Sequence, residues 1–363
     1  MRASLITTLL SCLPLVSAGH VLAQSMDPSV DRLVTPESAA CRTGGAIASN
    51  FADPNYQACV PDNAAFHRLA AQYGFAFAPS AMHSARTTGV GGWHVAVEAA
   101  YTSIDSGSTY WKSGSRGSAP LADGNTTNSN PASVLQLYSV KLRKGFGYGF
   151  EIAAQTGFMP LTSLWNAGAD IRISFLEGFR TRIPGYIPDL AAGAGVRTIT
   201  GTSQFQMTIA SFDLQLSKPI RVAEAVVLTP WLGYQHVWTF IDSNVVDLTP
   251  ATNQEDLCKP LGQAVPGQLN TATSANEYTG KVVCSSGGSG ADFSNNRAFG
   301  GATVMRQRLL IGTNIRHEHL MFGLQFITDL VKPADAQTRA QEKADLAGMS
   351  RQWTAVLDAG LMF

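Results

Sequence analysis

The ionisable side chains of this chain fall at alternate positions within several stretches, and that spacing narrows the chemistry open to them. Glu98 follows His94 by four residues, Arg143 follows Lys141 by two, and Asp170–Arg172 and Arg306–Arg308 repeat the two-residue step. In extended backbone, even spacing puts side chains on one face. The set on that face is His94, Glu98, Lys141, Arg143, Glu151, Asp170, Arg172, Arg197, Asp213, Arg306, Arg308, Arg316, Asp329 and Asp358. Both signs are present, so the group suits either an ion-paired interior or the lining of a narrow, weakly selective passage. Catalysis is poorly supplied. No serine lies in a GxSxG context. His317-Glu318-His319 lacks the i, i+4 spacing of a zinc protease and reads as a solvated turn. No residue is therefore assigned to catalysis, to a metal or to a cofactor.

The cysteines offer the other candidate chemistry. Cys12 lies in a stretch that reads as a secretory signal over residues 1–23, with Arg2, an apolar run from Leu5 to Val16, and Val21-Leu22-Ala23 before Gln24. Cys41, Cys59, Cys258 and Cys284 then remain. An even number in an exported chain predicts disulfides. The local pairing, Cys41–Cys59 and Cys258–Cys284, is favoured because each pair lies within one irregular segment; each closed loop is worth about 3 kcal/mol in the chain-entropy account. The spacings contain no CxxC, which argues against zinc.

The elements that position these groups are strands. Residues 92–103 set Trp93, Val95, Val97, Ala99 and Tyr101 opposite His94, Ala96 and Glu98. Further alternating runs cover 133–143, 146–156, 165–175, 190–200, 207–217, 226–241, 305–316 and 320–331. In the 133–143 run Tyr138, Val140 and Leu142 are outward, which leaves Leu135 and Leu137 on the polar side. Trp165 and Phe175 bound one run ten residues apart. The final run, Trp353 to Phe363, has the same spacing, with Trp353, Ala355, Leu357, Ala359, Leu361 and Phe363 on one face. At about 3.4 Å per residue and a tilt of about 40°, ten residues span roughly 25 Å of membrane normal.

This last run resembles the terminal strand of Gram-negative outer-membrane β-barrel proteins. The resemblance implies an all-β, antiparallel transmembrane barrel and outer-membrane lipid as a partner. It also implies recognition of Phe363 by the barrel assembly machinery. Trp93, Tyr101, Trp165, Phe175, Trp353 and Phe363 would form its aromatic girdles. Ten strands are expected, with eight or twelve as the alternatives. Connections 104–132, 157–164, 201–206, 242–304 and 332–350 then fall on one side, the outside, and include the long ones. Residues 332–350 contain a good helix former, Ala334 to Met349, and Lys144-Gly145 makes a tight turn on the other side.

The organisation expected is a signal at 1–23, an N-terminal segment at 24–89, and a barrel at 90–363. Pro61-Asp62-Asn63 reads as a helix start, with Phe66, Leu69 and Tyr73 at helical spacing, predicting a helix over 64–73. That segment is either a periplasmic tail or a plug. Composition agrees with a barrel: charged residues are 14% of the chain, and glycine is 34 of 363 residues. Without its signal the chain carries 25 basic and 26 acidic residues, which gives no basic patch for nucleic acid. Small barrels are filled by side chains, so any pore should be narrow. The expected function is a porin-like channel or transporter for small solutes. The alternative is a structural or surface-interaction barrel working through its outer loops. An omptin-like enzyme fits less well, because the outer connections contain no histidine.

Overall fold

Alternation of apolar and polar residues gives ten antiparallel barrel strands in the computed structural model, which describes residues 25–35, 59–80, 83–120, 126–177, 187–248, 258–260, 282–284 and 296–363. They are β1 (Trp93–Ser103), β2 (Val134–Gly145), β3 (Phe150–Phe158), β4 (Trp165–Leu176) and β5 (Asp189–Thr200). β6 (Phe205–Ser217), β7 (Val226–Ser243), β8 (Ala302–His317), β9 (Leu320–Asp329) and β10 (Trp353–Met362) complete the wall. Each strand pairs with its sequence neighbours, and β10 pairs with β1 from His94↔Met362 to Thr102↔Thr354. That last pairing closes the sheet, so no wall strand is left with an unpaired edge.

The two-residue period decides the facing. Leu357 is 51% exposed, whereas its neighbour Asp358 is 5% exposed. Val97, Ile171, Leu214, Leu232 and Phe322 stand on the exposed side with Leu357. Leu135 and Leu137 point inward and are buried, because the upper half of the lumen is apolar.

Four local elements depart from the sequence reading. The third strand starts at Phe150 rather than at Phe146, and the turn is longer than Lys144-Gly145. Gly147–Gly149 form a 3-10 turn in which Tyr148 has φ 62° and Gly149 φ 76°. Left-handed backbone interrupts the pleat. A Cβ at Gly149 would meet the Ser174 carbonyl oxygen at 2.5 Å, so this position needs glycine. Residues 333–349 hold two short pieces, a 3-10 turn at Pro333–Ala336 and helix α3 (Ala340–Asp345), labelled after α1 and α2 below. Gln337 breaks the run by bonding to the backbone N and O of Met305 on β8. The helix expected over 64–73 is longer, α1 (Asn63–Phe77), with the Asp62 side chain accepting from Ala65 N at 2.9 Å. The connection after β1 also holds a short helix, α2 (Thr109–Gly114).

The described residues between 25 and 92 contact both ends of the wall. Residues 25–34 lie among the outer connections: Met26 N donates to Leu161 O, Ser29 N to Gly114 O, and Val30 N to the Gln204 side chain. The start of α1 is at the same end, where Gly300 N donates to Asn63 Oδ1. At the other end Thr88 N reaches Glu151, and Gly91 N donates to Gly145 O before β1 begins. Residues 62–80 and 83–92 therefore have contacts that pass from the loop end to the turn end. Residues 1–24, which include the signal expected at 1–23, lie outside the described residues, as do Cys41 and most of 249–295.

Candidate functional site

The lumen is filled in two layers. Near the loops, α1 is buried nearly all round, as a helix is when every side has a wall. Phe66, Leu69 and Tyr73 join Leu135 and Leu137 of β2, Ile199 of β5, Met207 and Ile209 of β6, and Val237 of β7 in one apolar cluster. Gly74 allows closest approach: a Cβ there would meet the Thr239 side chain of β7 at 2.7 Å. On the loop side His67 Nδ1 lies 2.8 Å from Asp345 and its Nε2 2.7 Å from Gly300 O, which ties α1 to α3. Gln72 Nε2 donates to the Tyr110 hydroxyl at 3.0 Å. Burial of Tyr110 in that connection pushes its hydroxyl up to about 12.

The second layer is polar and lies toward the turns. The C-terminal end of α1 leaves backbone carbonyls without helical partners, and cations are favoured there. Arg308 of β8 supplies them, donating to Phe75 O at 3.1 Å and Pro79 O at 2.9 Å. Arg306 donates to Ala71 O at 3.4 Å and pairs with Asp329 at 2.6 Å. Both guanidinium groups lie over the Phe75 ring, at 5.3 and 5.0 Å. Lys141–Glu98 at 2.8 Å, Arg143–Glu151 at 2.6 Å, Arg197–Asp170 at 2.8 Å and Arg172–Asp213 at 3.7 Å continue the pairing down the wall. Buried ions tolerate desolvation only when matched in this way. The chain leaving α1 adds the remaining contacts: Ser80 to Glu98, the His83 and Ser84 carbonyls to Arg172, Ala85 N to Ser217, and Arg86 to Asp189.

The set proposed from sequence thus divides. Ten of its members form the five ion pairs just named, and Arg308 binds the end of α1. His94 is buried with its ring 5.3 Å from that of His83. Asp358 is buried beside Glu98, Lys141 and Arg143. Arg316 does not join the buried set; it is exposed at the turn end, because the lumen widens there. Ser80, His83, Arg86, Gln235 and Gln352 were missed, since residues 78–92 have no periodicity and the glutamines carry no charge. The inward-facing Leu135 and Leu137 were the available signal that something apolar occupies the lumen. Elsewhere His236 faces outward against Trp238, with ring centroids 4.3 Å apart. His317 and His319 are exposed around the β8–β9 turn.

The outer surface has the opposite character. Trp165, Trp353 and Tyr101 mark its loop end, and Trp93, Phe175 and Phe363 mark its turn end; all are exposed but Tyr101, which is half-buried. Between them stand exposed aliphatic residues on all ten wall strands, from Val95 and Val97 to Leu357 and Leu361. A closed sheet that is apolar outside and ion-paired inside satisfies its backbone without water and presents hydrocarbon to lipid. This is an outer-membrane β-barrel. No helix among the described residues is long and apolar enough to cross a membrane; the barrel crosses with its strands.

No protein-family model and no curated protein matches the chain. Solved structures similar to it include OprG, an outer membrane protein from Pseudomonas aeruginosa, at 10% identity and TM-score 0.26, over 77% of this chain and 99% of that one. Another is Omp33, an outer membrane protein of Acinetobacter baumannii, at 7% identity and TM-score 0.25, over 75% and 98%. Ail, the attachment invasion locus protein of Yersinia pestis, aligns at 9% identity and TM-score 0.25, over 76% and 100%. Likenesses at this level leave the class resting on the barrel's own geometry, and none selects a function.

Proposed function

We propose that this protein is a plugged outer-membrane barrel, non-conducting in this conformation, whose loop-end cap rather than its lumen does the work. The observation that carries the reading is the course of residues 62–80 and 83–92 inside the wall, held by an apolar layer and then by hydrogen bonds to charged wall residues. Two internal cavities beside Ser80 are about 20 and 10 Å³, room for about one water at most. The porin-like reading requires this segment to leave the lumen. The omptin-like reading gains nothing from His67, because both of its ring nitrogens are engaged by Asp345 and Gly300.

Planar bilayers test the proposal. The full chain should give no unitary conductance steps at moderate voltage. A chain lacking residues 24–89 should give them wherever a heat-modifiable gel shift shows that it has refolded. Regular ohmic steps from the full chain would overturn the reading.

The cap is also where a disulfide is proposed. Cys258–Pro260 and Val282–Cys284 pair antiparallel, with Cys258 directly opposite Cys284. Opposed residues in such a ribbon have Cα atoms about 4.5–5.5 Å apart, within disulfide range. Non-reducing peptide mapping should recover a Cys258–Cys284 peptide, and a Cys59–Cys258 peptide would be the contrary result. Cys59 is completely buried, and Cys41, its expected partner, lies outside the described residues.

A further inference from the structure

The two ends of the barrel are built differently. At the turn end the lumen opens into a cavity of about 520 Å³, within the range of small-ligand sites. Five cationic side chains line it, Arg86, Arg143, Lys218, Arg221 and Arg316, against two carboxylates, Glu177 and Asp189. The carboxylates are already engaged. Asp189 accepts from Arg86 at 2.7 Å, and Glu177 accepts from the Thr87 backbone N and hydroxyl, both at 2.8 Å. Arg143 is committed to Glu151 at 2.6 Å. Lys218 donates to Ile187 O at 3.3 Å.

Arg221 and Arg316 are different. Val227 on β7 is in register with Arg316 of β8 on one side and with Arg221 of the Ile220–Ala223 ribbon on the other. The two arginines therefore share one cross-strand row with a single residue between them, their Cα atoms about 10 Å apart. Both are exposed. Neither forms an ion pair with a described residue; Arg316 donates to Met362 Sδ at 3.7 Å. Side chains in one cross-strand row project from the same face, so both arginines can reach a single anion between them. Guanidinium forks match phosphate oxygens bidentately. Pro188, Pro219, Met321 and Met362 give the remaining wall an apolar side.

We propose that this cavity binds a phosphate-bearing anion, with Arg221 and Arg316 as its paired phosphate ligands. The site is independent of whether the barrel conducts. Its ligand has two possible sources, a soluble phosphate ester or the headgroup of a phospholipid in the adjoining leaflet.

The full chain in detergent should bind pyrophosphate in a calorimetric titration, more weakly as salt rises. An Arg221→Gln/Arg316→Gln double variant should weaken binding at least tenfold. Arg339→Gln, at the loop end, should leave it unchanged. Because Arg221 and Arg316 are exposed, the double variant should retain the folded gel mobility. In nanodiscs, native mass spectrometry should find phosphatidylglycerol retained over phosphatidylcholine if the source is lipid, and lost in the double variant. Pyrophosphate binding without lipid retention assigns the soluble ester. Equal binding by wild type and double variant, or binding of neither probe, overturns the proposal.

Discussion

Leu357→Arg should prevent the barrel from folding or assembling, while Asp358→Asn, one residue further on, should fold almost normally. Leu357 lies near the middle of β10, between Trp353 and Phe363, and its register partners are Ala99 on β1 and Leu324 on β9. All three face outward. A cation near the bilayer midplane costs roughly 2–4 kcal/mol on a barrel strand, a large fraction of the 5–15 kcal/mol typical of a folded protein. The strand carrying it also forms the closing seam with β1. Asp358 faces the lumen, and neither of its oxygens has a hydrogen-bond partner among the described residues. Its register partner on β1 is Glu98, which is paired with Lys141. The amide therefore removes a like-charge neighbour and breaks no hydrogen bond, so the change should stay within about 1 kcal/mol. Heat-modifiable gel mobility and urea titration of the refolded variants measure the contrast. Equal losses for the two substitutions would mean that the facing of β10 is wrong.

An epitope inserted between Thr35 and Cys59 should be labelled by antibody on intact cells, whereas one inserted beside Tyr148 should be labelled only after the outer membrane is permeabilised. Thr35 N donates to Val60 O, and Asp62 N donates to Leu33 O. Both flanks of the insertion are thus joined to each other at the loop end. Tyr148 stands in the β2–β3 turn at the opposite end and is 96% exposed. Long connections face outward in outer-membrane barrels, so the two tags report opposite sides of the membrane. The difference should be close to all-or-none. It follows from the contacts of residues 62–80 and 83–92, which place the N-terminal described residues across the membrane from both β1's first residue and Phe363. Labelling of the Tyr148 tag alone on intact cells would reverse the orientation. Labelling of neither tag before permeabilisation would remove residues 25–35 from the surface.

Sequence by itself determined the wall. The two-residue period is a local property of extended backbone, so Trp353 to Phe363 shows its lipid face with no knowledge of any partner strand. The even strand number and the lumenal side of Glu98, Arg197 and Arg306 follow from the same pattern. Tertiary structure alone decided what fills the barrel. α1 is apolar around most of its circumference, and the residues after it have no period, so neither carries a local sign of the lumen it occupies. Leu135 and Leu137 looked misplaced on β2 because the α1 residues that share their apolar cluster, Phe66 and Leu69 among them, lie far away in the chain. The pairing of charges is non-local too: Arg197 finds Asp170 27 residues away, and Arg306 reaches Ala71 O 235 residues away. Facing is set by each residue's nearest neighbours along the chain. Filling is set by volume and charge summed across a closed circumference, and that sum exists only once β10 has met β1.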